Sequence, residues 1–260
     1  MPSILFPHEI EETILDFLAE DDTALKICSL VCKAFLHICR THIFGNIVLN
    51  AGEYDVPVGS PRPTTHAFEC LLRETPEIAD YIRKLDFKIR DEDLTNPSIQ
   101  ESLKRISKVE FLTVRYCDWP VIFEWNNNPI RPALLHLLHL PALTHFTMDG
   151  IKNFVVSDLI PCVNLKYLEI VSITTVADET TFPAVFSEHS IQLNAFEFGF
   201  GNTAAIIMKL CTARRPDGQP IINFGSLSRI AVVYDDRNER ALQELFRHCP
   251  FLTTVDINCK

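Results

Sequence analysis

Gly199-Phe200-Gly201-Asn202-Thr203-Ala204 has the form G-x-G-x-x-A. Between a strand and a helix, that spacing brings backbone close to a pyrophosphate and aims a helix N-terminus at it. An acid about twenty residues on, ending a second strand, would hold the ribose. Asp217 stands at that distance, but Arg215-Pro216-Asp217-Gly218 reads as a turn with no apolar strand before it. A nucleotide-dependent oxidoreductase using the Gly199 turn is one reading. Cys28 and Cys32 fall on one face of an expected helix, with Cys39 two turns on. Zinc needs four convergent ligands, usually with a C-x-x-C knuckle, so packing as small apolar groups is the simpler role. His136, His139 and His145 lack the H-E-x-x-H form. No G-x-S-x-G elbow, P-loop or paired-carboxylate signature is present. Glu11-Glu12 and Asp21-Asp22 suit a solvated surface and a helix cap. The expectation is a chain without catalytic residues, cofactor or metal.

The composition narrows the partners. Of 260 residues, 47% are apolar and 22% charged, the range of a globular chain. Acids outnumber bases 34 to 24, for a net charge of −10. That disfavours nucleic acid and an anionic membrane, both of which call for a basic surface. The richest apolar run, 133–143, is interrupted by His136, His139 and Pro141, so no membrane span is expected. The first charges are Glu9, Glu11 and Glu12, unlike the basic head of a secretory signal. Nine cysteines without a C-x-x-C pair read as reduced, buried thiols. A cytoplasmic or nuclear address is expected.

The first 50 residues read as helical. Pro7 suits a first helical position, and Ile10, Ile14, Phe17 and Leu18 recur at helical spacing. Asp22 can cap a second helix over about Thr23 to Cys39. Leu25, Cys28, Cys32 and Phe35 line one face of that helix, and Ile27, Leu30, Val31 and Ala34 much of another. A helix apolar on two sides must be buried on two sides, by the rest of the chain or by another protein. Residues 51–66, with three prolines and two glycines, read as a linker.

From residue 67 the phrase apolar-x-x-apolar-x-apolar recurs. It appears as Ile82/Leu85/Phe87, Val109/Leu112/Val114, Leu143/Phe146/Met148, Leu165/Leu168/Ile170, Leu193/Phe196/Phe198, Leu227/Ile230/Val232 and Leu252/Val255/Ile257. The spacings are 27, 34, 22, 28, 34 and 25 residues, with helix-like stretches between. Parallel strands need such crossovers. The expected class is α/β, with about seven units over 67–260.

Two resemblances follow. Phe6-Pro7-His8-Glu9-Ile10, Ile14, Leu18 and Leu25 through Phe35, with its Ser29-Leu30-Val31-Cys32-Lys33 core, resemble an F-box over residues 4 to about 49. Phe6 stands where leucine is usual. The repeated phrase resembles a curved leucine-rich-repeat solenoid with a parallel sheet and outer helices. It is a degenerate one: only Cys117 matches the Asn or Cys expected after each phrase. The passage from Ala67 to Leu85 is similar to F-box proteins abundant in mushroom-forming fungi. Together these resemblances imply a 1–50 F-box, a 51–66 linker and a 67–260 repeat domain.

By resemblance, the chain would be a substrate-recognition adaptor of a Skp–cullin–F-box ubiquitin ligase. Phe6, Pro7, Ile10, Ile14, Leu18, Leu30, Val31, Cys32 and Phe35 would dock the Skp-type linker subunit, with the cullin scaffold beyond it. The concave sheet face would bind a protein substrate through positions including Lys84, Lys88, Phe111, Arg115, His145, Tyr167, Glu169, Glu197 and Arg229. Phe111 and Tyr167 are its aromatic anchors. An F-box scaffold outside the ligase is the alternative from the same resemblance.

Overall fold

The computed structural model describes residues 7–50, 63–116, 123–171, 177, 189–199, 203–234 and 236–259. The fold is mixed α/β around one eight-stranded parallel sheet. Its strands are β1 (Asn46–Leu49), β2 (Lys84–Ile89), β3 (Phe111–Tyr116), β4 (His145–Asp149), β5 (Tyr167–Val171), β6 (Ala195–Phe198), β7 (Arg229–Tyr234) and β8 (Thr254–Cys259). They lie side by side in chain order. Two short parallel pairs flank the sheet, Phe123–Glu124 with Ile151–Lys152 and Ile191–Gln192 with Ile222–Asn223.

The register explains the repeated phrase. Leu85, Leu112, Phe146, Leu168, Phe196, Ile230 and Val255 occupy one row across the sheet. Phe87, Val114, Met148, Ile170, Phe198, Val232 and Ile257 occupy the next. Residues two apart on a strand share a face, so both rows point one way. Through β7 they are buried in one core with side chains of the connecting helices. Those helices are α4 (Thr65–Glu74), α6 (Pro97–Lys104), α7 (Arg131–Leu138), α8 (Thr203–Thr212) and α9 (Glu239–Arg247), with the short α5 (Asp91–Leu94) before α6. On the last strand Val255 and Ile257 are exposed.

The sheet begins earlier than the repeat count implied. Asn46–Leu49 pairs in parallel with Lys84–Phe87, and Ile47 and Leu49 are buried in the same core. Phe44, Ile47 and Leu49 carry the same spacing, inside a region read as wholly helical. The linker reading also ends early: α4 starts at Thr65, with Thr64 Oγ1 accepting from Ala67 N at 3.2 Å. Residues 51–62 of the expected linker lie outside the described residues.

The N-terminal unit has three helices rather than two: α1 (His8–Asp16), α2 (Asp22–Cys28) and α3 (Lys33–Gly45). Pro7 is the residue before α1, and Asp21 rather than Asp22 caps α2, its Oδ1 accepting from Ala24 N at 2.9 Å. The expected single helix over Thr23–Cys39 is broken at 29–32. Cys32 is extended, and Phe35 N donates to its Sγ at 3.5 Å. The physical reason lies in the small core of Leu15, Leu25, Ile38 and Cys39. In one straight helix Leu25 and Ile38 would stand about 20 Å apart, too far to share that core. The apolar Leu30 and Val31 continue the helical period through the corner, so periodicity does not reveal it.

A buried polar cluster fixes the middle crossover. Trp125 Nε1 donates to Asp158 Oδ2 at 2.6 Å, and Arg131 Nη2 reaches both carboxylate oxygens at 2.9 and 2.7 Å. His139 Nε2 lies 2.8 Å from the Asp158 carbonyl, so it carries the proton and donates. Trp125 and Asp158 are buried, and Arg131 is about a quarter exposed. Asp158→Ala strands an indole N–H and a guanidinium, and is expected to cost about 3 kcal/mol, the lower end for a broken buried pair. Urea unfolding checks this; a loss below about 1 kcal/mol would mean that the cluster is not structural.

Candidate interaction surfaces

The face of the sheet opposite the helices carries the sequence-expected binding positions. Its first row reads Asn46, Lys84, Phe111, His145, Tyr167, Ala195, Arg229 and Thr254 across the eight strands. In-register pairing brings neighbours of this row into contact. Lys84 Nζ sits 4.8 Å from the centre of the Phe111 ring. Phe111 and His145 stack at 4.1 Å and 25°, and His145 and Tyr167 follow at 5.4 Å and 31°. The result is a column of three rings with a cation over one end.

The second row reads Val48, Asp86, Thr113, Thr147, Glu169, Glu197, Ala231 and Asp256. Arg115 reaches down to Asp86 at 3.6 Å. Thr147 Oγ1 donates to Glu169 Oε2 at 2.9 Å, and the Tyr167 hydroxyl to the same oxygen at 3.4 Å. Arg229 Nη2 lies 3.5 Å from Glu197 and 3.3 Å from Asp256. Burial, and then the charges of Glu169 and Glu197, push the Tyr167 phenol well above its ordinary range.

Lys88 is a correction. The period of two places it on this face, but it is only 5% exposed. Asn50, held at φ 57°, donates through Nδ2 to the Lys88 carbonyl and to Asp93 Oδ2, both at 2.9 Å. The chain leaving β1 thus closes over the end of β2. Lys84, Phe111, Arg115, His145, Tyr167, Glu169, Glu197 and Arg229 all remain at least partly accessible.

The second surface belongs to α1 and the corner between α2 and α3. Leu30 is 86% exposed, Val31 67% and Phe17 86%. Ile10, Ile14 and Ile27 are also exposed, as are Pro7 and Cys32. Leu18 and Phe35 instead pack partly against the small core. Phe6 lies outside the described residues. Phe17 and Ile27 were not among the expected docking residues; their place on the apolar helical faces was the available signal.

The other chemical candidates separate. A Cβ on Gly199 would come within 3.0 Å of Val171 Cγ1, so close packing accounts for that glycine. Phe200–Asn202 lie outside the described residues. Asp217 is in a turn, paired with Arg215 and followed by Gly218 at φ 82°. The corner at 29–32 removes the single helical face expected for Cys28 and Cys32, and Cys32 is exposed rather than buried. Burial pushes the Cys211 and Cys249 thiols up to about 12 and about 11. His136 bonds the Ile106 carbonyl, far in role from His145 in the ring column. Among the described residues no group of three potential ligands could hold a metal ion, and no helix is long and apolar enough to cross a membrane. No protein-family model and no curated protein matches this chain.

The ring column should sense acid. Thr144 Oγ1 donates to the Glu110 carbonyl and therefore accepts from His145 Nδ1, 2.8 Å away. Burial, and then the Lys84 charge, lower the His145 pKa from its ordinary 6.5; burial does the same at His139. The unfolded chain then binds more protons as pH falls through 6.5. Stability should therefore drop on acidification from about pH 7.5 to about pH 5.5. Thermal melts at both pH values check this. His145→Phe, which keeps a ring but cannot titrate, should shrink the difference; an undiminished difference would place the titration elsewhere.

Proposed function

We propose that this chain is a non-catalytic adaptor. Its α1–α3 unit is an F-box that docks the Skp-type linker subunit of a cullin-based ubiquitin ligase. Its parallel sheet is an irregular leucine-rich-repeat solenoid that holds a protein substrate on the open face. The carrying observation is the exposure of Ile10, Ile14, Phe17, Ile27, Leu30 and Val31 on one three-helix unit whose own core is already closed by Leu15, Leu25, Ile38 and Cys39. Large apolar side chains held in water by a folded unit mark a partner surface. Burying each is worth about 1.5–3 kcal/mol before association costs.

The F-box resemblance runs through the same residues. Ser29-Leu30-Val31-Cys32 forms the α2–α3 corner, so the most recognisable phrase coincides with the most exposed apolar side chains. The register of buried rows from strand to strand supports the repeat reading. The adaptor works by proximity: it raises the local concentration of a substrate beside an enzyme on another subunit.

Leu30→Asp with Val31→Asp tests the docking surface. Both residues are exposed in the chain itself, so its melting temperature should hold. Affinity for the Skp-type subunit should fall roughly 100-fold or more, from the loss of two buried side chains. Co-expression and size-exclusion chromatography read this. Undiminished co-elution of the double variant would refute the interface, and recovery of the linker without a cullin would restrict the protein to a scaffold.

A further inference from the structure

On the helix side of the sheet, α4 and α6 pack against each other, and a cavity of about 250 Å³ opens between them. Two hydrogen bonds tie the helices together across it. Asn96 Nδ2 donates to Glu69 Oε1 at 2.6 Å, and Arg105 Nη1 to the Leu72 carbonyl at 3.1 Å. Glu69 and Arg73 line the cavity from α4, one turn apart. Ser98, Glu101, Ser102 and the C-cap residue Arg105 line it from α6. The volume is below the roughly 300 Å³ of a drug-sized site, so it suits a small molecule.

Several polar groups of this cavity lack the partners that their kind finds elsewhere in the chain. Thr13, Thr41 and Thr212 each return their hydroxyl to the carbonyl four residues back. Ser102, also helical and only 6% exposed, makes no side-chain hydrogen bond among the described residues, and its oxygen opens to the cavity. A hydroxyl so buried costs stability unless something in the cavity meets it. Arg73 donates only to Cys70 Sγ, at 3.2 Å, and Arg105 only to the Leu72 carbonyl. Neither guanidinium has a carboxylate partner among the described residues. Glu101, by contrast, is paired with Lys104 at 2.8 Å. The Glu69 side chain is 11% exposed; its Oε1 takes the Asn96 amide, but its Oε2 has only the His66 ring nitrogen at 4.0 Å.

The open groups carry both signs. A simple anion would satisfy Arg73 and Arg105 but face Glu69, and a simple cation would meet the reverse. A small zwitterion satisfies all three. We propose that the α4–α6 cavity binds a free α-amino acid, with its carboxylate on Arg73 and Arg105 and its ammonium on Glu69 Oε2 and Ser102 Oγ. Guanidinium forks match a carboxylate in plane and spacing. Glu69 and Arg73 are four residues, about 6 Å, apart along the helix axis. The amino nitrogen and carboxyl carbon of an α-amino acid are two bonds apart, and a hydrogen bond of about 2.9 Å at each end spans that separation. The site involves neither the exposed surface of α1–α3 nor the open face of the sheet.

Thermal melts of the full chain with each standard L-amino acid test this, alongside inorganic phosphate and the N-acetyl and amide forms of the best binder. At least one free amino acid should raise the melting temperature by mass action. Its N-acetyl form, lacking the ammonium, and its amide, lacking the carboxylate, should each bind at least about tenfold more weakly. Ser102→Ala removes a hydroxyl that has no protein partner, so the melting temperature of the free chain should hold while the shift on adding the amino acid shrinks. Arg73→Gln should weaken binding of the free amino acid at least about tenfold and leave that of its amide unchanged. No shift with any amino acid, equal shifts with the N-acetyl or amide forms, or a shift that survives both variants would overturn the inference. A shift with phosphate alone would make the cavity an anion site and overturn it equally.

Discussion

The structure depends on an apolar pair that no strand can bury alone. Each sheet strand offers two side chains, such as Leu112 and Val114, to the same side. A single strand with one crossover helix leaves them half in water. Parallel pairing in strict register puts the next pair, Phe146 and Met148, directly beside them and lets successive helices cover both. A one-residue slip would turn every apolar side chain of a strand to solvent, so the register is pinned by burial. Strand order, helix placement and the regular march of the chain all follow.

The same constraint makes two unlike faces. The helix side claims the two apolar rows from Leu85 to Val232, while Val48, Val171 and Val233 fall on the opposite face. The opposite face inherits the alternate positions, where the row neighbours are rings, carboxylates and guanidinium groups. Register aligns these as strictly as it aligns the core, so Lys84, Phe111, His145 and Tyr167 become a column rather than scattered residues. A side chain changed on the core side is felt as lost packing. One changed on the open side alters instead the stacked rings and ion pairs of that face. The α1–α3 unit stands apart from this bargain, with its own small core and much of its apolar surface left in water.

The sheet was legible because period two and the crossover spacing are both local signals. Seven strands followed from their apolar triplets. Phe44, Ile47 and Leu49 obeyed the same rule but sat directly after a helical pattern, where the longer period masked them. The corner at 29–32 was not legible, since Leu30 and Val31 preserve helical spacing while the chain turns to bring Ile38 back to Leu25. The ring column was half legible. Phe111, His145 and Tyr167 could each be assigned to the open face from alternation, but their stacking needed the register between strands. Lys88 shows the limit of alternation, because Asn50 closes the chain over a position that the period of two left open.

The most direct measurement of the adaptor account is hydrogen exchange of the unmodified chain, with and without the Skp-type linker subunit. The account predicts slowed exchange confined to α1 and the corner between α2 and α3, with the amides of β2–β7 unchanged. Exchange unchanged in α1–α3, or protection appearing only on the sheet, would contradict it.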